Sequence, residues 1–210
     1  WYWLDIANDN RMVTGFFSIG SNRYHFSSTG ALSLGWFMSD GDWYYAEPSN
    51  ASGIVKTGWL KDGSQYYYLD PAVDGKMLLG HFSVNGKSYY AKGSGAVACR
   101  EWVDVQDSVQ DGPSKAFAGS DCSLCGTLRN GKLFTSNGDG ELVEARGFVT
   151  LGGCIFYADP TNGSLSVGWQ NVNGKWYFFD ETAGYARSGW LSKDGSWFYL
   201  DPYENRLGCR

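Results

Sequence analysis

The sequence predicts an all-β protein, a β-hairpin repeat solenoid built from units of about 20 residues. Three observations predict it: one phrase recurs every 20 to 23 residues within each half of the chain, each phrase contains a hairpin turn, and Gly and aromatic residues dominate the composition. Each copy has a Gly-aromatic pair, a two-residue turn and a run of aromatic residues. The clearest copies begin at Gly35, Gly58, Gly168 and Gly189, and less regular copies begin at Gly15, Gly80, Gly126 and Gly147.

The copy that begins at Gly58 shows why each unit is expected to form a hairpin. Residues 58–61 predict a short strand, Asp62-Gly63 a two-residue turn, and residues 65–69, rich in Tyr, a return strand. Asn-Gly and Asp-Gly favour such turns because their central residues need positive φ. A lone hairpin is marginally stable in water, so each unit must stack on the next. The predicted turns are Asp40-Gly41, Asp62-Gly63, Asn85-Gly86, Asn130-Gly131, Asn173-Gly174 and Asp194-Gly195, with Gly152-Gly153 and Gly20-Ser21 serving two further units.

The repeats define three regions of the chain. Residues 1–97 and 126–210 are predicted to hold N-terminal and C-terminal hairpin repeats. Residues 98–125 are predicted to be a degenerate or expanded repeat, or a junction with a Cys-rich loop, because only Glu101-Trp102 falls where a Gly-aromatic pair is due. Residue 1 opens inside a Trp-Tyr-Trp segment, so we expect the chain to be part of a longer protein.

Charge and hydropathy narrow the classes of function. The chain has 17 basic and 22 acidic residues and a formal net charge of −5, which argues against binding to nucleic acid. It contains no run of 18 apolar residues, so membrane insertion is not expected. A cation or a neutral sugar is the ligand that this composition favours.

Aromatic residues at fixed spacing are the main candidates for a binding site. The ring of the Gly-aromatic pair and the first ring of the aromatic run stand seven residues apart, and the Gly-aromatic ring of the next unit is expected to join them. Three converging rings attract a quaternary ammonium, because ring faces are negative and this cation donates no hydrogen bonds. The alternative is that these rings only pack between hairpins. The predicted ligand-binding sets are Trp36, Trp43 and Trp59, and Trp169, Trp176 and Trp190; weaker candidates are Tyr66 and His81 beside Trp59, and Trp197 beside Trp190.

The motifs GWLKDGSQYYYLDPAVDGKM and VGWQNVNGKWYFFDETAGYARSGW resemble the cell-wall-binding repeats of Gram-positive surface proteins, the choline-binding type. They are similar also to the glucan-binding repeats of glucosyltransferases and toxins. The resemblance covers residues 1–97 and 126–210, and it implies a left-handed superhelix of hairpins with choline held between aromatic rings at the junctions. Phe16, His81 and Phe148 depart from the family pattern, which puts sites at their junctions in doubt.

The resemblance implies a non-catalytic module that attaches a surface protein to choline or phosphocholine of teichoic acid. The expected location is extracellular and associated with the cell wall of a Gram-positive type bacterium, with no cofactor, and a homodimer is compatible with the sequence. Two alternatives stay open: a module that binds an α-glucan or related polysaccharide, and a structural, adhesin-type spacer.

Other chemistry has little support in the sequence. The two histidines, His25 and His81, come without an HExxH or GxSxG motif, so an enzyme is not expected. Cys122 and Cys125 have the spacing of metal ligands, but a disulfide from this loop to Cys99 or Cys154 is favoured over zinc, and the fifth cysteine is Cys209. The segment 137–141 is oxygen-rich, and a plain turn is favoured over a calcium loop.

Overall fold

The protein is described by a computed structural model, which covers residues 1–105, 114–137, 139 and 141–201. Its regular elements are short β-strands in antiparallel pairs, together with three 3₁₀ turns of three residues each, Ile6–Asn8, Ser49–Ala51 and Pro71–Val73. No helix in these ranges is long and apolar enough to cross a membrane. The predicted all-β hairpin repeat is confirmed. The chain forms two compact units, unit 1 with residues 1–80 and 91–97, and unit 2 with residues 81–90 and those from 98 onward.

Unit 1 consists of two-stranded hairpins and one three-stranded sheet, β7-β8-β9. The paired strands are β1 with β2, β3 with β4 and β5 with β6; a further pair, β10 with β11, belongs to unit 2 except for its first and last residues. Their bounds are β1 Leu4–Asp5, β2 Arg11–Met12, β3 Gly15–Ile19, β4 Asn22–Phe26, β5 Gly35–Ser39, β6 Asp42–Ala46, β7 Gly58–Asp62, β8 Gln65–Asp70, β9 Lys76–Met77, β10 Gly80–Val84 and β11 Lys87–Ala91.

Unit 2 contains a five-stranded sheet, β12 to β16 in sequence order, followed by three hairpins. Its bounds are β12 Glu101–Val105, β13 Ser114–Ala118, β14 Leu124–Arg129, β15 Lys132–Ser136, β16 Leu142–Glu144, β17 Gly147–Leu151, β18 Cys154–Ala158, β19 Gly168–Val172, β20 Lys175–Phe179, β21 Gly189–Lys193 and β22 Ser196–Leu200.

Gly126 does not open a two-stranded hairpin, as the spacing predicted, but lies inside β14. The pairing of β13 with β14 shifts between Ala116 and Phe117, where Cys125 and Thr127 are the successive partners and Gly126 is skipped. Gly126 has a φ of 60°, so it is the extra residue of a β-bulge, a place that suits glycine because it lacks a Cβ. The period-based prediction failed here because a bulge glycine and a repeat glycine look alike in sequence.

The regular hairpins share one register, which we number from the opening glycine as position 1. Gly35 pairs with Ala46, so position 1 lies opposite position 12, and Asp40-Gly41 forms the turn with φ of 51° and 86°. The predicted turn at Asp62-Gly63 is wrong by one residue: Asp62 pairs with Gln65, and the turn is Gly63-Ser64. Gly63 has a φ of 58°, and a turn with glycine first is of the II′ type, so it accepts Ser second. The first strand of each regular hairpin has five residues, and this constant length decides where the turn lies more strongly than the preference of Asp-Gly for turns does.

Position 12 carries the core of each hairpin. The side chains there are between 0% and 8% exposed, and they are Phe26, Ala46, Leu69, Ala91, Ala158, Phe179 and Leu200. The chain that leaves one hairpin also bonds back to the hairpin before it: Val55 N–H donates to the Arg23 carbonyl at 2.8 Å, and Ala186 N–H to the Ile155 carbonyl at 2.7 Å. Stacked hairpins thus stabilise one another through a buried side chain and a backbone hydrogen bond.

Candidate functional site

A cavity of about 310 Å³ lies in unit 1 beside two of the predicted tryptophans. Its lining consists of Trp36, Trp43, Tyr67, Met77 and Ser94. Three of these five are aromatic and a fourth is a buried methionine, so the cavity is mainly apolar, with hydroxyls on Ser94 and Tyr67. Such a composition suits a small, weakly hydrated guest.

The hairpin register places Trp36 and Trp43 on the same face. Trp36 on β5 pairs with Tyr45, and Trp43 lies two residues before Tyr45 on β6, so the two indoles are diagonal neighbours. The Trp36 ring meets Tyr45 edge to face with 5.2 Å between centroids, which fixes its orientation. It also meets Tyr67 edge to face at 4.8 Å, so the third aromatic wall comes from the next hairpin.

Trp59, predicted as the third ring, is not among the described residues that line this cavity. Trp59 pairs with Tyr68 across the hairpin, with 5.1 Å between the ring centroids. Side chains alternate along a strand, so Tyr67 points to the face opposite Tyr68 and Trp59. The face directed at the preceding hairpin is the one that carries Tyr67 and the buried Leu69. Trp59 therefore lies on the face of its hairpin opposite the one that carries Tyr67, and its role as a ligand-binding residue stays a prediction.

A carboxylate accompanies the Trp36 ring. The indole Nε1–H of Trp36 donates to Oδ2 of Asp62 at 2.9 Å, and Asp62 lies on β7 of the next hairpin. Burial raises the pKa of the Tyr45 phenol, and the Asp62 carboxylate raises it further. A carboxylate of the next hairpin therefore lies against the edge of the Trp36 ring, and the Trp36 ring lines the cavity.

The second predicted set, in unit 2, repeats the arrangement only in part. The Trp169 and Trp176 rings are 6.5 Å apart and nearly perpendicular, and Phe198 of the next hairpin meets Trp169 at 5.0 Å. Trp190, predicted as the third ring, pairs with Tyr199 and is 69% exposed. Phe198 thus takes the place in this set that Tyr67 takes in the first.

The weaker candidates are distributed over both units. Tyr66 is exposed and has the Lys61 ammonium 5.6 Å from its ring centroid. His81 meets Tyr90 at 4.8 Å and lines another cavity, of about 500 Å³, with Asp104 and Val105.

Trp197 and Trp190 lie 6.4 Å apart at 80° on the last hairpin. Both rings are 69% exposed, so this pair has two aromatic walls open to solvent.

An internal cation, which sequence reasoning missed, occupies the equivalent junction of the first hairpin. Arg23 stands at position 9, where the clearest repeats have Trp or Tyr, and its guanidinium carbon lies 4.6 Å from the Phe16 ring centroid. Tyr44 of the next hairpin meets Phe16 at 4.9 Å, and Asp74 pairs with Arg23 at 3.1 Å. The signal was available, because an arginine seven residues after a ring is spaced to stack on it.

The cysteine loop contains the predicted disulfide, between Cys99 and Cys122. Cys125 is a free thiol, and burial raises its pKa to about 11, which keeps it protonated and poorly reactive. In the segment 137–141, Asn137 Oδ1 accepts the N–H groups of Asp139 and Glu141, as in a plain turn. Gly138 and Gly140, also in that segment, lie outside the described residues, as does Cys209.

His25 is a packing residue in unit 1. Its ring stacks on Phe37 with 4.4 Å between centroids, and its Nδ1 lies 2.8 Å from Ser33 Oγ. Burial lowers the pKa of His25, so the folded protein favours the neutral imidazole.

Four segments of the chain match the profiles of known repeat families. Residues 166–205 match the profile described as a choline-binding repeat. Residues 14–32, 35–49 and 57–72 match the profile of a cell wall binding repeat. The chain carries choline-binding repeats. Trp36, Trp43 and Tyr67 lie in the segments that match the cell wall binding repeat, and Trp169 and Trp176 lie in the segment that matches the choline-binding repeat. No curated protein matches the chain in sequence.

Several solved structures are similar to the chain at low identity. CbpJ from Streptococcus pneumoniae TIGR4 is 22% identical with a TM-score of 0.45, over 96% of this chain and 68% of that one. The autolysin LytC from Streptococcus pneumoniae, in complex with a synthetic peptidoglycan ligand, is 19% identical with a TM-score of 0.48, over 94% and 46%. Alternansucrase in complex with isomaltononaose is 22% identical with a TM-score of 0.32, over 96% and 17%. The chain therefore spans less than half of the last two proteins.

Proposed function

We propose that this chain is a non-catalytic wall-attachment module and that the Trp36 cavity binds the quaternary ammonium group of choline. The observation that carries the proposal is the cavity formed by Trp36, Trp43, Tyr67 and Met77, whose three aromatic walls come from segments that match the cell wall binding repeat. Its aromatic walls present negative faces to a cation, and its methionine provides apolar contact for methyl groups.

The expected affinity of one cavity is low. A cation over one ring gains about 0.5 to 2 kcal/mol, so three rings supply roughly 2 to 5 kcal/mol. Because about 4 kcal/mol corresponds to a millimolar dissociation constant, free choline should bind in the millimolar range. A single cavity of this kind would not hold a protein on a surface.

Attachment follows from repetition. Teichoic acid that bears phosphocholine at regular intervals would engage the Trp36 cavity and the Trp169 and Trp176 rings together, and the second contact would benefit from a high effective concentration. The proposal includes a location outside the cell, on the wall of a Gram-positive type bacterium.

The test is a choline titration of the whole chain, followed by tryptophan fluorescence and thermal stability. The proposal expects a saturable fluorescence change with a midpoint in the millimolar range and a rise in Tm, because a ligand that binds only the folded state stabilises it. The absence of any response at saturating, high-millimolar choline would refute it. Sodium chloride at matched ionic strength is the control.

A second candidate is binding of an α-glucan or related polysaccharide. The observation that favours it is the exposure of Trp176, Trp190 and Trp197, which are 61% to 69% exposed and offer flat faces for sugar rings. Retention on a dextran column that choline does not compete away would support this candidate. Failure of both ligands to bind would leave the spacer role, in which Trp43→Ala and Trp176→Ala weaken folding without changing any ligand affinity.

A further inference from the structure

The two aromatic sets differ in the charge that the neighbouring hairpin brings to them. We infer that Asp62 is a specificity-determining residue that makes the Trp36 cavity selective for cations, an inference that rests on the proposed function. Its counterpart at position 5 of the last hairpin is Lys193, so the Trp169 and Trp176 pair lacks this selectivity.

The contact between Asp62 and Trp36 is direct. The indole N–H donates to the Asp62 carboxylate at 2.9 Å, a charge-assisted hydrogen bond. This hydrogen bond holds the indole in the orientation that faces the cavity. It also makes the electrostatic potential of the ring more negative, because the carboxylate charge polarises the indole through its N–H group. The fixed orientation serves a guest of either charge, whereas the added negative potential favours a cation over a neutral guest of the same shape.

The charge of Asp62 is left uncompensated in the part of unit 1 that the structure describes. The ammonium and guanidinium groups around it have their own carboxylates: Lys76 pairs with Asp42 at 2.8 Å and Lys56 with Glu47 at 3.0 Å. Arg23 pairs with Asp74, and Lys61 is directed at the Tyr66 ring. None of the ion pairs among the described residues includes Asp62, whose hydrogen-bond partner is the neutral indole.

The equivalent position in unit 2 has the opposite sign. Lys193 pairs with Glu181 at 2.9 Å, and among the described residues no carboxylate accepts a hydrogen bond from the Trp169 indole N–H. Trp169 instead packs on Phe198, an apolar ring without a hydroxyl. At position 5 the next hairpin thus supplies a carboxylate bonded to the position 2 indole in the first set, and an ammonium paired with Glu181 in the second.

The experiment compares choline with 3,3-dimethyl-1-butanol, which has the same shape without the charge, on the whole chain and on Asp62→Asn. Asn keeps an oxygen that accepts the Trp36 N–H and removes the charge. Choline should bind the variant about two- to fivefold more weakly, the range that one exposed charge contributes. The neutral alcohol should bind both proteins equally. Asp62→Lys should weaken choline binding further, by about tenfold relative to the unaltered chain.

The matched control is Asp9→Asn, which makes the same change of charge at an exposed residue in the left-handed region, where Asn is well tolerated. It should leave both affinities unchanged. Equal choline affinity of Asp62→Asn and the unaltered chain would overturn the inference while the proposed function stands. Parallel loss of choline and alcohol binding would also overturn it, because it would assign Asp62 a purely structural role. No choline binding by the unaltered chain would instead refute the proposed function.

Discussion

The Trp36 cavity in unit 1 and the Trp169 and Trp176 pair in unit 2 are built on the same hairpin. In both, the ring at position 2 meets the ring at position 10 of the next hairpin edge to face, at 4.8 Å and 5.0 Å. They differ in the side chains that the next hairpin supplies: Tyr67 and Asp62 in the first, Phe198 and Lys193 in the second. The comparison teaches that the repeat sets the scaffold while positions 5 and 10 of the neighbouring hairpin vary, and we propose that these two positions decide what the rings bind.

The largest expected effect is a loss of folding stability, and it tests whether the hairpins of unit 1 and unit 2 depend equally on the side chain at position 12. Leu69 and Phe179 occupy position 12 and are fully buried. Leu69→Ala should lower the free energy of unfolding of unit 1 by about 2 to 5 kcal/mol, and Phe179→Ala that of unit 2 by about 3 to 5 kcal/mol, since each leaves a cavity. Urea denaturation measures both. A loss below about 1 kcal/mol in one unit would show that position 12 does not carry its core.

The next effect separates the two sets by their affinity for choline. Trp43→Ala should weaken choline binding to unit 1 by about tenfold, because one ring contributes up to about 2 kcal/mol. Trp176→Ala should change total choline binding by less than about threefold, since among the described residues no carboxylate is bonded to the Trp169 indole as Asp62 is to Trp36. Isothermal titration calorimetry measures both variants.

The control for these variants is the Tm without choline. Trp43 is 42% and Trp176 61% exposed, so neither substitution should lower the Tm as much as the position 12 variants do. Equal loss of choline affinity in both variants would break the proposed difference between the sets.

A smaller effect sharpens the comparison with the first hairpin, whose ring is already covered by an internal cation. Arg23→Ala should free the Phe16 face for an external cation, in a protein that also carries Trp43→Ala to silence the main cavity. Calorimetry at high choline should then detect a weak, millimolar binding event that Trp43→Ala alone lacks. Equal heats of choline binding in the double variant and in Trp43→Ala alone would show that Arg23 does not exclude a ligand.

The smallest expected effect is a change of thermal stability with pH, and it arises from a histidine in unit 1. The folded state lowers the pKa of His25 below its usual value of about 6.5, so protonation favours the unfolded chain. The stabilisation is present above pH 6.5 and is lost as the pH falls toward and through the folded pKa. Thermal unfolding from pH 7.5 to 5 should show Tm falling below pH 6.5, and His25→Gln should flatten this dependence. An unchanged slope in that variant would assign the effect to other groups.

Much of the hairpin architecture was predictable from local residues. Positive φ in a two-residue turn requires Gly or Asn, so sequence located most turns, and alternation along the strand placed Tyr67 and Leu69 on one face. The Asp62-Gly63 turn was misplaced because two adjacent residue pairs both satisfy turn chemistry, and only the pairing register distinguishes them.

The candidate site was less accessible to sequence reasoning. Trp36 and Trp43 come from one hairpin, and their shared face follows from spacing. Tyr67, Met77 and Asp62 come from the next sheet of unit 1, β7-β8-β9. Their distance from Trp36 depends on how the hairpins stack, which no local sequence pattern encodes. The same holds for the guanidinium of Arg23 over Phe16.

The most direct test of the account is a crystal structure of the chain with choline at saturating concentration. The account predicts the trimethylammonium group between the rings of Trp36, Trp43 and Tyr67, with its methyl groups against Met77. Choline bound elsewhere, with this cavity vacant, would contradict it.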